Sequence, residues 1–178
     1  MSRRIITLGT WDGKPIEWIV LKEEDFGTLV LSKNILFQSK FDDSSNIWKD
    51  SYIRRYLNND FFNHFTNLEK KKILNSLIYE NIDDVFAYFE KRKWEKKFDV
   101  TELPKCKDNI FLLSIALANE VLTTDELNLS KEWWLCTINP HKDHSKDNVF
   151  RVDDKGCIYS TGITRSIGVR PAMYIREK

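Results

Sequence analysis

Glycine and proline are scarce, six and four residues in a chain of 178. That excludes collagen-like, mucin-like and long low-complexity chains. No apolar run approaches the length of a bilayer crossing, which excludes a membrane-spanning helix. An excess of one charge is missing too: 28 Lys plus Arg face 27 Asp plus Glu, a formal net charge of +1. No global field therefore draws the chain to nucleic acid or an anionic membrane, and both are disfavoured as partners. Cysteine is sparse and odd in number. Cys106, Cys136 and Cys157 lie far apart, without the spacings of a zinc ribbon or a redox pair, so free thiols in a reducing cytoplasm are expected. After Arg3 and Arg4 too few apolar residues follow for a signal-peptide core, which agrees with a cytoplasmic location. What the chain does have is bulk, 42% hydrophobic and 13% aromatic, enough to pack a core for a single domain over residues 1–178.

Strand-like patterning opens the chain. Residues 5–8 and 16–22 flank the turn Asp12, Gly13, Lys14 and Pro15, and residues 28–32 add a third strand, which predicts an antiparallel meander. In the second run only Glu17 is polar among Ile16 to Leu21, so burial on both faces is expected for part of its length. The period then changes. Ser51 reads as the N-cap of a short helix carrying Tyr52, Ile53, Tyr56 and Leu57 and ending near residues 58–60. Thr66 and Glu69 form a capping-box pattern ahead of Ile73, Leu74, Leu77 and Ile78, which predicts a second helix. Composition shifts again over residues 81–107, a helical insertion with Phe86, Tyr88 and Phe89 before the basic stretch 91–97 around Trp94. Residues 109–113 read as a buried strand, and Ser114 as the cap of an apolar helix reaching about Leu122. Last come a strand at Trp133, Trp134, Leu135 and Cys136, a polar loop over 139–148, a hairpin turning at Asp153 to Gly156, and a terminal strand over 169–175.

The order of these blocks resembles a bacterial domain family of unassigned function. The residues that carry the resemblance are Ile16 to Leu21, Leu29 to Ser32, Trp48 with Ser51, Arg54, Leu57, Asn58 and Phe61, then Ile110 to Ser114, Trp133 to Leu135, and Gly168 to Ala172. That family is in turn similar to the C-type lectin-like fold, in the compact form shared by formylglycine-generating enzymes and phage variable receptor-binding proteins. The resemblance implies an α+β fold: a twisted antiparallel sheet core, two or more flanking helices and a long irregular loop region where ligands are met. It does not imply one activity, because the fold hosts sugar binding, protein binding and oxidative catalysis. Where the family usually has Arg-Ser after the Trp-Trp-Leu block, this chain has Cys136 and Thr137.

Several constellations bear on chemistry. The candidate ligand set is His141, Asp143, His144, Asp147 and Asn148 in the loop, with Trp133 on the strand leading into it and Trp94 in the insertion. His141 and His144 are weak metal candidates, since two histidines three apart without a second matched pair are common in solvated loops. The Glu-Pro-Asn and Trp-Asn-Asp strings of calcium-dependent lectins are missing, and no Gly-x-Ser-x-Gly elbow accompanies His64, read as a partly buried helix-end residue. Cys136 and Cys157 would have to meet across strands to act as a thiol pair. The basic stretch 91–97 reads as the outer face of an amphipathic helix, with an adhesive patch of Tyr88, Trp94 and Phe98 as the alternative. Structural roles are assigned to Arg170, Arg54, Glu17, Trp18 and Trp134. A guanidinium inside the last strand needs carbonyl or carboxylate partners, and Glu17 is the carboxylate considered for either arginine. The expectation is a non-enzymatic recognition module for a protein or small ligand, without a cofactor. The alternatives are a metal- or thiol-dependent enzyme around His141, His144 and Cys136, and a phage- or mobile-element-associated protein that contacts a host component through residues 83–107.

Overall fold

A computed structural model of the chain describes residues 3–78, 82–91, 105–141 and 147–177, apart from the side chain of Asp84. The fold is α+β. Its N-terminal meander follows from turn chemistry. Strand β1 (Ile5–Trp11) pairs antiparallel with β2 (Lys14–Glu24), and the two-residue connection places Asp12 and Gly13 at φ 49° and 71°. Two successive positive φ values make the turn whose twist matches a right-handed hairpin, which Asp-Gly supplies at low cost. β3 (Gly27–Ser32) continues the meander, and β11 (Ala172–Ile175) closes it in the order β1-β2-β3-β11. Trp18 is fully buried, its Nε1 donating to the Leu8 carbonyl at 2.8 Å, as suits a tryptophan inside a core.

The second sheet runs β4-β10-β7-β8-β9, made of β4 (Phe37–Ser39), β10 (Ile167–Val169), β7 (Trp133–Ile138), β8 (Asn148–Val152) and β9 (Ile158–Gly162). Alongside its antiparallel pairings it has one parallel pairing, β10 with β7 through Gly168 and Trp133. The connection that makes this possible is short. Residues 163–166 leave β9 beside Asn148 and reach β10 beside Trp133. Gly168 is required at that approach: a Cβ there would lie 2.6 Å from the Glu132 carbonyl oxygen.

Helix starts follow the sequence closely. Ser51 caps α1 (Tyr52–Tyr56), its side chain accepting from Arg54 N, and the chain continues in a wider turn over Leu57–Phe61. Thr66 and Glu69 form a complete capping box at α2 (Asn67–Lys70), and Ser114 caps α4 (Ile115–Val121). Thr123 and Glu126 make a second capping box at α5 (Thr124–Leu127). Three readings change. The helix after Thr66 stops at Lys70, because Ile73 and Leu74 are taken by the edge of β11, Leu74 N donating to the Tyr174 carbonyl at 2.9 Å; Ser76–Ile78 is strand β5. Residues 110–113 are buried, but 109–113 are not a strand, since the Asn58 side chain takes the N–H groups of Asn109 and Ile110 and donates to the Ile110 carbonyl. The strand of that region is β6 (Cys106–Asp108), paired with β5. Finally, the terminal strand is two strands in two sheets, parted at Arg170 and Pro171, where Pro171 has no N–H to extend a ladder.

Among the described residues a hydrophobic cluster runs from Leu8 to Ile175 and draws on both large sheets. Helix α3 (Ile82–Lys91) buries Val85, Tyr88 and Phe89 in it, with the Tyr88 and Phe89 rings 6.3 and 5.8 Å from the ring of Phe150. Tyr88 is thus core rather than part of an adhesive patch. Trp94 and Phe98 lie outside the described residues. Among the described residues no helix is long and apolar enough to cross a membrane.

Candidate functional site

The loop after β7 rises from a base that polar side chains hold rigid. Asn139, buried, donates from Nδ2 to Ser160 Oγ at 2.8 Å, and its Oδ1 accepts from His141 N at 3.0 Å. The Asn148 carbonyl closes the base, accepting from Asn139 N at 3.0 Å and from Asn46 Nδ2 at 3.2 Å. Asp147 is exposed, and its carbonyl accepts from Ile163 N. Residues 41 and 42 donate to the Ile163 carbonyl, so three irregular segments meet at this end of the sheet. Asp42 organises one of them. Burial alone would push its carboxyl up, but the N–H groups of Ser44, Ser45 and Tyr52 outweigh that and hold it below its ordinary value. Of the loop residues singled out from sequence, His141 is half-buried and Asn148 begins β8; Asp143 and His144 lie outside the described residues, as does Trp94. Among the described residues, no group of three or more His, Cys, Asp or Glu is placed to hold a metal.

Trp133, the strand residue of the expected ligand set, lies in the core. It is fully buried, its Nε1 donating to the Leu127 carbonyl at 3.1 Å, with the Arg170 guanidinium 5.0 Å from its ring centroid. Trp134 is equally buried and donates to the Ser39 carbonyl, consistent with a packing role. Arg170, 1% exposed, donates from Nε to the Ser32 carbonyl at 3.0 Å and from Nη1 to the Glu126 carbonyl at 2.7 Å. Loss of water on burial pulls its pKa down to about 10. Arg3 completes this centre by pairing with the Glu126 carboxylate.

Arg54 has a carboxylate partner, but it is not Glu17, which lies at the surface with Lys33 at 3.0 Å. The partner is Asp108, its side chain fully buried. Asp108 Oδ1 accepts from Arg54 Nε at 2.7 Å, and Oδ2 from Trp48 Nε1 at 2.8 Å and from the Cys106 thiol at 3.2 Å. Burial, with the Asp108 charge next, pushes the Cys106 thiol up to about 11, away from the thiolate that reactivity needs. Cys136 is buried and Cys157 exposed, and neither is in a disulfide. His64 is exposed rather than partly buried, its ring edge-on to Trp11 at 4.9 Å.

One polar group escaped the sequence reading. Arg151, at the middle of β8, faces Trp134 on β7 and Tyr159 on β9. Its side chain is 14% exposed, and Nη2 lies 3.2 Å from Glu132 Oε1. Glu132 Oε2 in turn holds Arg165 Nη2 at 2.8 Å, and Arg165 Nη1 donates to Thr161 Oγ1. Nε and Nη1 of Arg151 are buried without a hydrogen-bond partner among the described residues. Each such donor costs about 1–3 kcal/mol when left unmade. The signal was present: an arginine inside Val149, Phe150 and Val152 is as exceptional as Arg170 between Val169 and Pro171.

Residues 27–129 match the sequence model of a family described as a domain of unknown function, DUF6273. The chain belongs to that family. The DUF6273 match takes in β3, α1, Asn58 and the whole Asp108 centre. It stops before β7, so the blocks at 133–135 and 168–172, the loop and Arg151 are contributed by residues beyond the matched DUF6273 stretch, as is the block at 16–21 before it. No curated protein and no solved structure matches the chain.

Proposed function

We propose that the chain is a non-enzymatic recognition module, a single C-type lectin-like domain over residues 1–178 with a helical insertion at 81–107, acting in the cytoplasm. It takes a protein or small ligand through the loop region after β7. The observation that carries this reading is the construction of the loop base, where Asn139, Asn148 and Asn46 spend their polar atoms on fixing the loop's two ends. Rigid stems under irregular polar loops are how binding loops are presented. The lectin-like assignment has support in the four-stranded antiparallel sheet, which joins the first and last strands of the described chain, and in the three loop segments gathered at one end of the other sheet. The raised pKa of Cys106 counts against thiol chemistry there.

Native mass and metal content of freshly purified protein test the reading, alongside a variant in which residues 141–147 are replaced by a Gly-Ser linker. A bound ligand retained by the full chain and lost by the variant supports it. Stoichiometric zinc, copper or iron that disappears on joint substitution of His141 and His144 by alanine overturns it in favour of the metal-dependent enzyme.

A further inference from the structure

From the Arg151, Glu132 and Arg165 cluster we infer a binding site for a carboxylate-bearing ligand on the five-stranded sheet, separate from the loop over residues 139–148. Guanidinium is donor-only and always charged, so what satisfies its spare N–H groups is an acceptor, and an anionic one forms the stronger, charge-assisted bonds. Nε and Nη1 of Arg151 are spare in this sense, buried and without a hydrogen-bond partner among the described residues.

Charge fixes the class of anion. Two guanidinium groups surround one carboxylate, Glu132, which leaves one positive charge to be matched by a monoanion. A phosphoryl dianion would overshoot and meet the Glu132 charge at close range. Glu132 also shows that the pair accepts a carboxylate, with one oxygen on each arginine. Its two contacts are unequal. Toward Arg165 it makes a 2.8 Å hydrogen bond, while toward Arg151 it makes a 3.2 Å ion pair. An incoming carboxylate therefore takes Arg151 and leaves Glu132 on Arg165. Tyr159, the cross-strand partner of Arg151 on β9, is 46% exposed, and the Arg165 side chain is 49% exposed. Arg170 is the internal control, since the same two atoms, Nε and Nη1, are already committed to carbonyls.

The test is a titration of the full chain with sodium acetate, with sodium chloride as the ionic-strength control, read from the arginine Nε–H signals by NMR. Arg151 Nε–H is expected to shift saturably while Arg170 stays still, and the same titration is expected to raise Tm. Arg151→Met should abolish the rise in Tm, and Glu132→Gln should bind acetate about fivefold more tightly, as one competing ion pair is removed. The Gly-Ser loop replacement should leave the response intact, which separates this site from the loop reading. An Arg151 signal that moves no more with acetate than with chloride overturns the inference, and this measurement needs no variant to fold. A larger saturable shift with inorganic phosphate than with acetate overturns the carboxylate assignment.

Discussion

Arg170 and Arg151 are both held inside the fold by their neighbours, yet they are finished differently. Arg170 sits where the chain passes from one large sheet to the other, donates to two backbone carbonyls and lies over the Trp133 ring. Arg151 sits one strand away from β7 on the opposite side, ion-paired to a carboxylate that it shares with Arg165, with Nε and Nη1 unused among the described residues. Partners drawn from backbone are fixed by the fold and cannot be exchanged; a side-chain carboxylate can be. Saturation marks a structural arginine, and spare capacity marks one available to a ligand. Asp108 belongs with Arg170 in this division, as both of its oxygens are occupied by groups from three different parts of the chain.

Substitutions separate the two kinds. Asp108→Ala should have the largest effect, a loss of about 3–5 kcal/mol, because it strands Arg54 and the Trp48 N–H around an empty centre; urea denaturation measures it. Arg170→Lys should lose about 2 kcal/mol in the same assay, since one ammonium cannot span the Ser32 and Glu126 carbonyls. Asp42 gives a smaller effect that depends on pH. Its folded pKa is depressed, so its contribution is complete above the ordinary carboxylate pKa of about 4 and is lost as pH falls through the folded value. Asp42→Asn should lose less stability than wild type over that acid range, and the difference between the two urea midpoints against pH reads it directly. Arg151→Met should cost least, under about 1 kcal/mol, because the buried donors it removes were unmade. A loss as large as that of Arg170→Lys would erase the distinction between the two arginines.

How much was legible in the sequence follows the range of the interactions involved. Caps and turns are local, so Ser51, Thr66, Ser114 and the Asp12-Gly13 hairpin could be read directly. The extent of the element after a cap was not local. Leu74 and Ile73 fit a helical period, yet their fate was decided by β11, a hundred residues downstream in chain order. The same holds for the polar centres. That Arg54 and Arg170 needed partners was evident from their surroundings, but which partners was a matter of topology, and Asp108 and the Glu126 carbonyl displaced Glu17. For the candidate site, composition locates the loop, while Arg151 stands out in sequence only as a lone charge between Val149, Phe150 and Val152.

The division of the last strand region has a consequence for synthesis. β10 and β11 are the last of the described strands, and the ribosome delivers them after the strands they pair with. Until they arrive, β3 lacks its outer neighbour and β4 has no strand to join it to β7. The nascent chain must therefore carry two unfinished sheets with open edges, the condition under which strands of neighbouring chains pair wrongly. Protection of those edges during translation is then a requirement of making the protein, apart from the stability of the finished fold.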